Sequence, residues 1–118
     1  MNKSNVIAAL AALAQEARLD IFRLLVQAGP EGMPAGQLGE RLGLPPATLS
    51  FHLKELRHAG LVSFQRASRS LIYSAEFASM NGLLAYLTEN CCQGDAAACV
   101  PGICDGTKLE KPKPRRVS

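Results

Sequence analysis

A chain of 118 residues is long enough for one compact domain and too short for two. With 47% hydrophobic residues, few aromatics and no Trp, its core must be built from Leu, Ile, Val and Ala. The formal net charge of +3 permits a nucleic-acid partner without requiring one. No stretch approaches the roughly 20 apolar residues that span a bilayer. The apolar run Val6–Ala14 lacks the basic start and cleavage region of a signal peptide, so a cytoplasmic location is expected.

Taken in chain order, apolar periodicity predicts a first helix from about Asn5 to Ala14, with Ile7, Leu10, Leu13 and Ala14 on one side. A second helix runs from about Glu16 to Ala28, where Leu19, Phe22, Leu25 and Val26 share a face. Gly29, Pro30 and Gly32 stop it. A short third helix, Ala35 to Leu42, directs Leu38 and Leu42 inward and ends at Gly43. Leu44-Pro45-Pro46 carries a tight turn, and Pro at the first position suits an immediate fourth helix, Pro46 to His58, with Leu49, Leu53 and Leu56 buried.

Leu61–Arg66 and Arg69–Ser74 alternate apolar and polar residues around Ala67-Ser68, as a two-stranded hairpin does, although the turn has neither Gly nor Asn. A last helix is expected over Ala75–Asn90, with Phe77, Met80, Leu83, Leu84 and Leu87 apolar. The fold expected is mainly α: a winged helix-turn-helix of five helices and a two-stranded β-hairpin wing. The expected boundaries are residues 1–90 for this DNA-binding and dimerisation domain, residues 91–104 for a cysteine-rich segment, and residues 105–118 for a basic tail that Pro112 and Pro114 are expected to keep disordered.

Two short helices joined by a tight turn, the second opening on small polar residues, are the arrangement that enters a major groove. The outward positions Ala47, Thr48, Ser50, Phe51 and Lys54 are the candidate DNA contacts on the fourth helix. Hydroxyls can bond base edges, and Lys54 suits a phosphate or a guanine. Arg66 and Arg69 at the hairpin tip can reach a phosphate or the neighbouring minor groove. His52 is expected at the back of the helix and His58 on the surface near its end. Nothing resembles a nucleophile–base pair or a phosphate loop, so an enzyme is not expected.

The stretch LPPATLSFHLKELRHAGLV (Leu44–Val62) resembles the recognition helix and wing of the arsenical-resistance repressor (ArsR/SmtB-type) family, and LAQEARLDIFRLL (Leu13–Leu25) resembles that family's second helix. The likeness covers roughly residues 7 to 90. It implies a homodimer joined by the first and last helices, an inverted-repeat operator, and release of the DNA when an inducer binds.

Relatives place inducer sites on different elements, and two common ones are missing here. The helix preceding the recognition helix, PAGQLGERL (Pro34–Leu42), has no cysteine, and the last helix has no His. What remains is Cys91, Cys92, Cys99 and Cys104, four cysteines within fourteen residues and none elsewhere. In a reducing compartment such a cluster argues for metal or redox chemistry over a disulfide framework. Trivalent arsenic and antimony are thiophilic and take three thiolates in a pyramid. Adjacent Cys91 and Cys92 can turn both sulfurs to one ion, with Cys99 folded back as third ligand or Cys104 in its place. The arrangement resembles a subgroup of the same family with a three-cysteine arsenite site after the last helix. A four-thiolate zinc site and a thiol–disulfide switch on the same fold are the alternatives. A constitutive architectural DNA binder and a thiol metallochaperone are the competing classes.

Overall fold

In the computed structural model the described residues are 1–90. The chain divides into two units, Met1–Met80 and Asn81–Ser118. The first opens with α1 (Lys3–Leu13) and α2 (Glu16–Ala28). Each begins on a side-chain cap. Asn2 accepts from the Asn5 amide at 2.8 Å, and Gln15 accepts from the Arg18 amide at 2.9 Å. Each cap satisfies an amide that the first helical turn leaves unpaired. The Asn2 cap starts α1 ahead of the point expected from apolar periodicity.

The inward face of α1 also differs from the expected one. Val6, Ala9 and Ala12 are buried, whereas Ile7 and Leu10 are 58% and 43% exposed. The helix is apolar nearly all round, so periodicity does not distinguish its two apolar stripes. Small side chains on the inner stripe let α1 come close to α2 and α4, which turns the bulky stripe outward. In α2 the buried residues are Ile21, Phe22 and Leu25, and Leu19, expected inside, is exposed. At about 100° per residue, Leu19 lies more than a quarter-turn from the centre of that face.

The next two helices fall where the sequence places them. α3 (Ala35–Leu42) ends on Gly43, whose left-handed backbone (φ 67°) closes the helix. α4 (Pro46–His58) begins with Pro at its first position, where a missing N–H costs nothing. Leu49, Leu53 and Leu56 are buried along its inner face, as expected, and Leu38 of α3 is fully buried.

A three-stranded antiparallel sheet follows, in the order β1-β3-β2. The hairpin comprises β2 (Val62–Ala67) and β3 (Ser70–Ala75), registered from Val62↔Ala75 to Ala67↔Ser70. Ser68 in the turn adopts φ 57°, taking the left-handed conformation without the Gly or Asn that usually supplies it. β1 (Met33–Pro34) pairs Met33 with Tyr73 and Pro34 with Ile72, an addition that sequence reasoning missed. Two residues are too few to show alternation. The sheet also holds Ala75 in β3, so α5 (Phe77–Leu87) begins later than expected.

In the second unit α5 carries a buried Leu83, with Leu84 and Leu87 at 45% and 55% exposure. The Thr88 hydroxyl donates to the Leu84 carbonyl at 2.7 Å near the end of the helix. No helix among the described residues is long and apolar enough to cross a membrane.

Gly32, with φ 74°, delivers the chain from α2 into β1, and a side chain there would collide with the Tyr73 carbonyl oxygen. Backbone cannot yield as a flexible side chain can. Gly32→Ala is therefore expected to destabilise the fold by about 2 kcal/mol or more in urea titration, through left-handed strain and overpacking together.

Candidate nucleic-acid interface

The outward face of α4 follows from how its inner face is fixed. Leucines at 49, 53 and 56 turn one side to the core. At about 100° per residue, the opposite side then carries Ala47, Phe51, Lys54 and His58, flanked by Thr48 and Ser50. All six are exposed, Phe51 by 55%. The sequence thus placed this face correctly, and His58 lies on the surface near the helix end as expected.

His52 is the only buried polar or charged side chain among the described residues, at 8% exposure. A guanidinium NH of Arg18 donates to its Nδ1 at 3.3 Å, while Arg18 Nε donates to the Ala12 carbonyl at 2.8 Å. Guanidinium has no acceptor, so Nδ1 must be the bare nitrogen and the ring proton resides on Nε2. Protonating Nδ1 would remove the bond and set two cations together. Burial, and then the Arg18 charge, hold the His52 pKa below its ordinary value of 6.5. The expectation of a structural role behind the helix is met. Its partner Arg18 was missed, because nothing in a one-dimensional pattern pairs residues 34 positions apart.

The wing is tied to the same helix. Arg57, near the end of α4, lies over the Phe64 ring of β2 at 5.2 Å from the centroid. Phe64 in turn packs on Tyr73 of β3, ring centroids 5.4 Å apart. From Phe64 to Ser70 the hairpin is exposed throughout, with Arg66 on β2 and Arg69 in the turn. Arg57 was not among the sequence candidates. Its spacing of seven residues from Phe64 gives no local sign of the stack.

The candidate metalloid ligands Cys91, Cys92, Cys99 and Cys104 lie outside the described residues. Among the described residues no group of three or more His, Cys, Asp or Glu side chains is placed to hold a metal ion.

Helix, tight turn, outward-facing second helix and arginine-bearing hairpin define a winged helix-turn-helix protein of the DNA-binding regulator class. A helix-turn-helix domain family matches residues 13–63. The chain is 41% identical over 59 residues to the transcriptional regulator YceK of Bacillus subtilis, covering 50% of this chain and 58% of that protein. It is 33% identical over 85 residues to the transcriptional regulator YgaV of Escherichia coli, covering 72% of this chain and 84% of that one. An ArsR-like transcriptional regulator from Rhodococcus superposes with a TM-score of 0.63 at 28% identity, over 71% of this chain and 76% of the other. The chain belongs to the ArsR/SmtB family of winged helix-turn-helix transcriptional regulators.

The His52 pairing sets a sign for acid sensitivity. A base with a depressed folded pKa binds its proton more readily when unfolded, so its stabilisation is complete above 6.5 and is lost as pH falls through the folded value. His52→Asn keeps an acceptor oxygen for Arg18 and does not titrate. In thermal melts between pH 7.5 and pH 5 (roughly the span that brackets a histidine titration), the wild type is expected to lose more Tm on acidification than H52N.

Proposed function

We propose that this chain is a homodimeric repressor that holds an inverted-repeat operator through α4 and the wing. It releases the DNA when trivalent arsenic or antimony binds Cys91, Cys92 and Cys99, with Cys104 the alternative third ligand. The DNA half of this reading is carried by the outward face of α4. Thr48, Ser50 and Lys54 offer two hydroxyls and a cation around Ala47 and Phe51, the chemistry that major-groove edges and phosphates accept. Arg66 and Arg69 extend the contact to the flanking backbone or minor groove. Dimerisation is supported by the exposed Ile7 and Leu10 on α1 and the exposed Leu84 and Leu87 on α5, bulky apolar residues that a second copy can bury.

The sensing half is supported by the confinement of every cysteine in the chain to residues 91–104, after α5. Arsenous acid exchanges its three hydroxyls for three sulfurs, and each thiol proton leaves with a hydroxyl as water. Because these cysteines follow the last helix and are separate in sequence from α4, binding acts by favouring a dimer arrangement that no longer fits the operator.

Two measurements test the halves separately. Lys54→Ala and Arg66→Ala are each expected to lower operator affinity and to reduce the slope of log K against log salt by about 0.9, the signature of one lost phosphate contact. An unchanged slope would remove that residue from the backbone contact set. In fluorescence anisotropy under reducing conditions, micromolar arsenite should release the wild type from the DNA upstream of its own gene, while zinc should not. The Cys91→Ser, Cys92→Ser, Cys99→Ser triple variant should bind and stay bound. Arsenite release that survives the triple substitution would exclude these cysteines as the sensor.

A further inference from the structure

We propose that Phe51 is a specificity-determining residue that reads the 5-methyl group of a thymine in the major groove. This rests on the reading of α4 as the recognition helix, and concerns what that helix reads. Phe51 stands opposite the buried leucines of α4, at the centre of its outward face, with 55% of its surface exposed. The other exposed aromatic, Phe64, is less open and has one face against the Arg57 guanidinium. The Phe51 ring has a tilted neighbour in His52, centroids 5.6 Å apart, and remains largely open to solvent.

Its surroundings distinguish it from the exposed aliphatics elsewhere. Ile7, Leu10, Leu84 and Leu87 lie on α1 and α5, whereas Phe51 is framed on its own helix by Thr48, Ser50 and Lys54. An apolar centre inside a rim of hydroxyls and a cation suits a surface that is polar with isolated apolar points. The major groove is such a surface, and its apolar points are the thymine methyls. Ala47 lies one turn earlier on the same sector and extends the apolar strip along the groove axis. The helix that carries Phe51 is itself held in rotation by the Arg18 bond to the adjacent His52.

The test uses the full-length chain and its operator, first delimited by footprinting. Each thymine of a half-site is replaced in turn by deoxyuridine, which removes only the methyl. The wild type is expected to bind about fourfold more weakly at one such position in each half-site, the effect of exposing one buried methyl. Phe51→Ala should bind the unmodified operator more weakly and be indifferent to deoxyuridine at that same position. Its melting temperature should match the wild type, because the ring is exposed. Specific binding by the wild type that ignores deoxyuridine at every position overturns the inference and leaves the recognition-helix reading standing. Retained deoxyuridine sensitivity in F51A does the same. Failure of the wild type to select any operator removes both.

Discussion

Arg18 stands at the point where three segments meet. One guanidinium nitrogen donates to the Ala12 carbonyl near the end of α1, another to His52 on the inner face of α4, and its own backbone amide is held by the Gln15 cap of α2. A polar ring buried beneath a recognition helix would be a liability without a partner. With Arg18 opposite, it becomes a directional link in an otherwise greasy contact. Leu49, Leu53 and Leu56 drive α4 onto the core, but hydrophobic burial is non-directional and tolerates rotation of a helix about its axis. A hydrogen bond to Nδ1 does not.

That rotational setting matters because the outer face of α4 is its complement. Turning the helix by one residue position would replace Phe51 with His52 or Ser50 at the centre of the exposed sector. The stack of Arg57 on Phe64, and of Phe64 on Tyr73, performs the corresponding task for the wing. Residues that contact DNA in the proposed function are therefore held by residues that do not, and the two polar anchors, Arg18 and Arg57, lie outside the set expected to touch the operator.

In the proposed function the DNA-reading residues and the sensing cysteines are separate in sequence. Residues 13–63 contain the helix-turn-helix, and the cysteines begin at 91. In the proposed function an inducer held by those cysteines acts through the geometry of the dimer. The exposed Leu84 and Leu87 of α5 lie shortly before that segment in sequence, which is why dimer arrangement is the variable proposed for such a switch.

The sequence alone located α2, α3 and α4, the hairpin, the buried leucines of α4 and the exposed candidates from Ala47 to Lys54. These are legible because strong breakers such as Gly29, Gly43 and Pro46 bound them, and because an amphipathic helix records its inner face in its own periodicity. The cysteine cluster is equally plain, since spacing and exclusivity need no coordinates. Tertiary structure decided what periodicity cannot carry. It chose the alanine side of α1 over Ile7 and Leu10, added β1 where two residues found an edge of β3, and paired Arg18 with His52 and Arg57 with Phe64. In each case the deciding partner lies on another element, and a local pattern has no term for which of two apolar faces, or which of several cations, the rest of the chain will meet.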